Sequence, residues 1–381
     1  MFETTQKKAA APTQRILSID ALRGFDMFWI MGGDRFVQVL LGLTGLSIAP
    51  ALSAQFEHVA WEGFRFYDLI FPLFLFLVGC VLPYSLEKHI PNSNGEHKFL
   101  PRAVYLRILR RTLTLFLLGL ICNRILDFKF DELRVAGVLQ RIGICYGFAA
   151  LICVHFGVRG QVIAFITILL GYWAILACVP VPGGSAGDFS PEGNLCGYLD
   201  RSFLPGKIKK EYYGFGDNEG LLSTLPAIAT ALLGSLAGAW LKSGTGPWTK
   251  VLGLAAAGVS CVFLGYTWGL MFPIIKILWT SSFVLVAGGW SLLLLALFYA
   301  LIDVIGWRGW AYFWIVIGAN AITIYVVPRF IDFDGKLTKF FLSGVSDLAG
   351  NANVLVLVTG ALAAKWLFLW YLYRQRIFLR L

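Results

Sequence analysis

The sequence predicts an all-α polytopic membrane protein with about ten transmembrane helices and both termini on the cytoplasmic side. Three observations carry this expectation. Hydrophobic residues make up 58% of the 381 residues and charged residues only 14%, against roughly 45–50% and about 25% in soluble domains. Apolar runs close to the ~20 residues that cross a bilayer recur from end to end. The charges between those runs are sorted by sign, loop by loop.

Hydropathy and length put the ten spans near 21–45, 67–86, 103–122, 135–155, 161–180, 221–241, 251–270, 278–301, 309–327 and 354–373. The first is the least regular, because Gly32, Gly33 and Asp34 interrupt it. No polar block exceeds about 40 residues, too short for a separate soluble domain. The chain therefore divides into a tail, 1–17, a membrane domain, 18–375, and a second tail, 376–381. Within the membrane domain, 181–220 is a long extracytoplasmic loop. The polar start MFETTQKKAAAPTQR is followed by no small-residue cleavage pattern, which argues against a cleaved signal peptide. One broken helix without a mate does not suggest an inverted repeat.

Orientation follows from the loops. With the N-terminus inside, the inner segments carry Lys7, Lys8, Arg15, Lys88, Lys98, Arg102, Lys242, Lys250, Arg308, Arg374 and Arg380, with few acids. The outer segments are rich in acids, among them Asp127, Asp131, Glu132, Asp188, Asp217 and Glu219. This is the positive-inside pattern, and it orients the chain; the expected location is the cell's inner membrane. The net charge of +10 then reflects topology, and no nucleic-acid partner is expected. Cys80, Cys122, Cys145, Cys153 and Cys261 read as small buried hydrophobes. Cys178, just before the long loop, and Cys196, within it, can pair in an oxidising compartment. No Cys or His spacing resembles a metal site, and no metal is expected.

The stretch 56–85, FEHVAWEGFRFYDLIFPLFLFLVGCVLPYS, concentrates the polar chemistry. Glu57, His58, Trp61, Glu62, Arg65, Tyr67 and Asp68 crowd the outer end of an apolar span, where reactive groups reach water without crossing hydrocarbon. His58 reads either as an interfacial residue on a lead-in helix or as a base. Asp34, at similar depth, reads either as the carboxylate that orients it or as an ion-pair partner of Arg35 or Arg141. Trp61, Glu62 and Asp68 are candidate substrate contacts, as are Arg141 in RVAGVLQRIGICY, Asn320 in GANAITIY and Trp279 in FPIIKILWTSSFVL. Asn320 reads equally as interhelical glue.

Ionisable residues inside spans cost roughly 2.5–3.5 kcal/mol on insertion scales, so Arg23, Asp26, Asp34, Arg35, Arg141 and Lys365 are each functional-site candidates. Asp20, Arg23 and Asp26 share a helical spacing and read as an ion-paired anchor, with phosphate binding by Arg23 as the alternative. Arg102, Arg107, Arg110 and Arg111 crowd the inner end of the third span. They serve either as a topology anchor or as a dock for a polyanionic donor. No Walker loop or Gly-rich dinucleotide motif follows a strand, so a nucleotide must bind between helices.

SIDALRGFDMFWIMGGD, HVAWEGFRFYDLIFPLFLFLVG, RVAGVLQRIGICY, DNEGLLSTLPAIATALLGSLAG, FPIIKILWTSSFVL and GANAITIYV occur in that order. Together they resemble the heparan-α-glucosaminide N-acetyltransferase family of transmembrane acyltransferases, specifically its bacterial members, some of which are labelled as N-acetylglucosamine-related transporters. The resemblance covers about 18–375. It implies acetyl transfer from cytosolic acetyl-CoA to an amino sugar on the far side of the membrane, with a homodimer as the family's assembly. It puts the catalytic His on His58, and it puts on Asp34 a position that is Asn in the lysosomal enzyme. With such a donor, the CoA phosphates would dock at the inner arginines Arg23, Arg107, Arg110 and Arg111, with pantetheine threading between helices. The short segment before the first span leaves no room for that enzyme's large N-terminal luminal domain. An amino-sugar transporter is the alternative function.

Overall fold

The computed structural model describes residues 16–87, 101–208 and 214–379. The tail residues 1–15, Lys88, Lys98, Arg380 and most of the basic-aromatic run 207–213 lie outside the described residues. The described residues are helical, with no strand beyond two isolated bridges, Glu62 to Ile275 and Arg134 to Gly206.

In chain order the main helices are α1 (Leu17–Phe28), α2 (Asp34–Thr44), α3 (Phe66–Cys80), α4 (Arg102–Cys122), α5 (Val138–His155), α6 (Val158–Cys178), α7 (Leu195–Phe203), α8 (Thr224–Lys242), α9 (Pro247–Gly269), α10 (Ser281–Tyr299), α11 (Ala311–Ala319), α12 (Ala321–Val326), α13 (Thr338–Leu348) and α14 (Asn353–Arg374). Each of the ten expected spans coincides with a helical stretch. Among the described residues, seven helices are long and apolar enough to cross a membrane, or eight if Ala311–Ala319 and Ala321–Arg329, bent by 72°, count as one span. The other two expected spans differ for visible reasons. α4 has the length but carries four arginines. The first span breaks at Gly32, whose φ of +117° suits a residue without a Cβ, and a π turn joins α1 to α2 there.

That break leaves a carbonyl without a helical donor. The Met31 carbonyl instead accepts from Lys365 Nζ at 2.8 Å, and the same ammonium bonds both Asp334 oxygens at 2.7 Å. Lys365, one of the in-span candidates, therefore holds a broken helix together.

The helices Phe66–Leu86, Thr224–Lys242 and Ser281–Val304 form the buried centre, whereas Val158–Cys178, Pro247–Gly269 and Gly350–Arg374 turn most of their apolar surface outward. α3 and α8 touch backbone to backbone. A Cβ on Gly79 would collide with the Ala231 carbonyl, and one on Gly234 with the Phe76 carbonyl. Small residues permit this approach, which is how helices gain contact where hydrophobicity alone gives no drive. A second cluster, with Tyr172, Leu195, Cys196 and Phe272 at its centre, packs the long connection 181–220 onto the ends of the helices. Cys178 and Cys196 are unpaired, the first exposed and the second buried.

Candidate functional site

His58 lies in an irregular segment between helices. Gly63, at φ +123°, turns that segment against a second connection, with Gly63 N–H bonding the Ile274 carbonyl at 2.9 Å. The second connection carries Lys276 and Trp279. α3 starts just beyond, with the Asp68 carboxylate at its third position accepting the Arg65 N–H at 3.1 Å. Pro72 supplies no N–H to the Asp68 carbonyl, so the first turn of α3 is loosened beside the site.

These constraints bring three side chains together. His58 Nδ1 is 2.8 Å from Asp68 Oδ1. Lys276 Nζ lies 3.3 Å from the same oxygen, 3.0 Å from Nδ1 and 3.4 Å from Nε2. Asp68 is fully buried, whereas the His58 side chain is 34% exposed, so a fixed carboxylate meets an imidazole that a ligand can reach. With Nδ1–H donating to Asp68, Nε2 keeps its lone pair, and Lys276 shares the carboxylate. The Tyr67 ring lies 4.8 Å from the imidazole, centre to centre.

The group opens into a cavity of about 270 Å³. Its walls include Trp61, Phe71, Trp279, Tyr325 and Arg329, with Arg134, Asn218 and Glu219 at another side. Trp61 Nε1–H donates to the Phe189 carbonyl at 2.9 Å, tying the wall to the long connection. Trp279 adopts φ +52°, uncommon for a residue with a Cβ. Its Nε1–H donates to Thr230 Oγ1 at 3.1 Å, and its ring meets Phe71 and Phe283 edge-on.

Arg134 reaches into the 217–219 turn, bonding Asp217 through Nε at 2.8 Å and pairing with Glu219. Asp200, on α7, holds the same turn by accepting the N–H groups of Asp217 and Leu221 at 3.1 and 2.9 Å. Burial pushes the Asp200 carboxyl up to about 6, against the pull of those two N–H groups.

A second cavity, of about 560 Å³, lies further along the same helices. Asp20, Arg23, Tyr84, Ser85 and Arg111 line it, with Phe378 and Leu379 from the chain's end. The two cavities share Phe74, Leu139, Ile142 and Ile322 as walls. They are stacked along the helical stretch Phe66–Leu86, from Asp68 at one end to Ser85 at the other, roughly 25 Å at about 1.5 Å per residue. Arg23 pairs with Asp20 at 3.5 Å. Arg111 stacks on Tyr146 at 4.5 Å, and its Nε is buried without a hydrogen-bond partner among the described residues.

Several expected site residues fall elsewhere. Asp34 begins α2 and does not line the His58 cavity. The carboxylate beside the imidazole is Asp68, in the first turn of α3. Glu62 is exposed and joins through its backbone bridge to Ile275, not through the cavity wall. Arg141 is 1% exposed and lies behind the wall, 5.1 Å from the Trp279 ring, with Nη2 on Ser223 Oγ at 2.5 Å. It braces Trp279 instead of facing the cavity. Asn320 sits at the bend between α11 and α12 and bonds the chain's end, with no place in either wall. Arg111 shares the buried face of α4 with Val104, Ile108 and Leu115, whereas Arg107 and Arg110 are exposed off that face and line neither cavity.

No family model matches the chain. It is 27% identical over 440 residues to the heparan-alpha-glucosaminide N-acetyltransferase of Homo sapiens, covering 98% of this chain and 61% of that protein. It is 26% identical over 384 residues to the protein of the same name from Mus musculus, covering 85% and 56%. The chain is thus similar over most of its length to heparan-alpha-glucosaminide N-acetyltransferases. It spans about three fifths of the length of the relatives it matches.

Sequence reasoning overlooked Lys276, Arg134 and Glu219 as site residues. Lys276 sits in FPIIKILW, a stretch that supplied Trp279 as a candidate but whose cation was not singled out. A single cation inside so apolar a segment was the available signal. Arg134 and Glu219 meet across 85 residues of chain, and no local pattern announces such a contact.

Proposed function

We propose that this chain is a transmembrane N-acetyltransferase. In this account it moves an acetyl group from acetyl-CoA on the cytoplasmic side to the amine of a glucosamine-like sugar on the other side. The observation that carries the proposal is the pair of stacked cavities with shared walls: an imidazole against a buried carboxylate in one, two arginines in the other. The name of its relatives, N-acetyltransferases of an alpha-glucosaminide, supports the same reaction class. The excess of Lys and Arg on the segments flanking the arginine cavity supports its cytoplasmic assignment.

The chemistry follows from the His58 geometry. Asp68 fixes the tautomer with hydrogen on Nδ1, leaving Nε2 as the base. As the acceptor nitrogen attacks the thioester carbonyl, Nε2 takes the amine proton. The carbon–sulfur bond then breaks, and the proton passes to the departing thiolate. Amine and thioester become amide and thiol, and no proton is gained or lost. The Lys276 ammonium, 3.4 Å from Nε2, stabilises negative charge on the carbonyl oxygen during attack. Transfer through an acetyl-imidazole uses the same contacts, with Nε2 as nucleophile. The apolar walls Phe74, Leu139, Ile142 and Ile322 suit the narrow pantetheine arm between the two polar ends.

The test is acetyl-CoA-dependent acetylation of glucosamine by the purified protein. His58→Ala abolishes turnover while the protein stays monodisperse and folded. Turnover at the wild-type rate in that variant would remove His58 from the mechanism.

A further inference from the structure

After α14 the chain folds back. Arg376 adopts φ +56°, a left-handed turn that costs a residue with a Cβ about 1–2 kcal/mol. The turn is closed by Ile377 N–H on the Leu372 carbonyl at 2.9 Å. The returning segment then crosses the arginine cavity, and Asn320 grips its backbone at two points. Asn320 Nδ2–H donates to the Ile377 carbonyl at 3.0 Å, and its Oδ1 accepts the Leu379 N–H at 3.3 Å. Asn320 itself is 2% exposed. A buried amide with both ends committed to alternate residues fixes the segment between them.

That residue is Phe378. Its neighbours Ile377 and Leu379 are largely exposed, at 54% and 49%, so the segment is not held by burial of its own apolar side chains. Phe378 is half-buried, touches Tyr373 at 6.0 Å between ring centres, and lines the cavity with Arg23 and Arg111. An aromatic face beside two guanidinium groups matches a nucleotide: the ring takes the base and the cations take phosphate.

We propose that Phe378 is the stacking platform for the nucleobase of the acyl donor, and that Asn320 is the residue that positions it. This rests on the reading that CoA enters the arginine cavity. Asn320, expected from sequence to touch the sugar, then acts on donor selection, at the opposite end of the path. Phe378 favours a full CoA donor over a pantetheine thioester that lacks the nucleotide.

The test measures binding of CoA and of pantetheine to the full chain in detergent by calorimetry. Base stacking on an aromatic ring contributes about 1–3 kcal/mol. Phe378→Ala therefore weakens CoA binding roughly 5- to 150-fold and leaves pantetheine binding as it was. Phe378→Trp restores CoA binding, and Asn320→Ala reproduces the selective loss. Unchanged CoA binding in Phe378→Ala, or equal weakening of both ligands, overturns the proposal, because a merely structural segment does not distinguish them. CoA bound through Phe378 without any acetyl transfer would sink the acyltransferase reading and leave this one standing.

Discussion

Replacing Asp68 by Asn tests the core of the site with almost no change in shape. The carboxylate is fully buried. Oδ1 accepts from His58 at 2.8 Å and faces Lys276 at 3.3 Å, while Oδ2 accepts the Arg65 N–H at 3.1 Å. An Asn side chain cannot serve both ends. With its NH₂ towards Arg65, two donors collide; with it towards His58, the imidazole must turn its hydrogen to Nε2, and the base is lost. Hydrogen bonds to charged groups contribute about 1.5–3 kcal/mol each, and two charge-assisted contacts fail at Oδ1. At about 1.4 kcal/mol per tenfold in rate, kcat/KM falls roughly 10²- to 10⁴-fold. The assay is acetylation of glucosamine at saturating acetyl-CoA, with thermal unfolding as the control for folding. An Asp68→Asn protein within about threefold of wild type, and equally stable, would refute the assignment of Asp68 as the residue that sets the tautomer of His58.

Lys276→Met removes the ammonium beside Nε2 while filling its space, and kcat drops about 10- to 100-fold; a drop in acceptor affinity alone would make Lys276 a binding residue. Asp200 has its carboxyl raised to about 6 by burial. Its protonated form is favoured by the fold, so that stabilisation is complete below about pH 4 and is lost as pH rises through 6. It amounts to at most about 3 kcal/mol. Thermal stability of wild type accordingly falls between about pH 4 and 6, Asp200→Asn flattens this dependence, and matching profiles for the two proteins would contradict it. Both carboxylate oxygens of Asp26 are buried without a hydrogen-bond partner among the described residues. Asp26→Leu, which removes an uncompensated polar group, raises the unfolding temperature; a lower one would point to a partner for the carboxylate.

Much of the fold was legible because bilayer thickness forces long apolar runs, and all ten expected runs became helices. The interruption of the first run at Gly32, Gly33 and Asp34 was legible too, and the structure adds its form, a positive φ at Gly32 that hydropathy does not register. The site was legible as a neighbourhood and not as a set of contacts. His58 and Asp68 lie ten residues apart, within one stretch that stood out by its polar crowding. Asp34 was preferred over Asp68 because it was matched to His58 by depth in the bilayer alone, which does not say which way a side chain faces. Lys276 reaches His58 across 218 residues, through pairing of two connections at Gly63 and Ile274 that no periodicity announces. Arg111 could be separated from Arg107 and Arg110 only by asking which residues share a face with Val104, Ile108 and Leu115. The role of Asn320 depended on a turn in the chain's last residues that amphipathic patterning does not encode.

The account's central claim is that donor and acceptor meet from opposite faces of the membrane. The direct measurement uses proteoliposomes of one protein orientation, with acetyl-CoA confined to the side of Arg23 and Arg111 and glucosamine to the side of His58. The account predicts N-acetylglucosamine on the His58 side and free CoA left on the arginine side, with no product when the two reactants are exchanged. Product formed only when both reactants share one side would contradict it, as would passage of N-acetylglucosamine across the membrane without any acetylation.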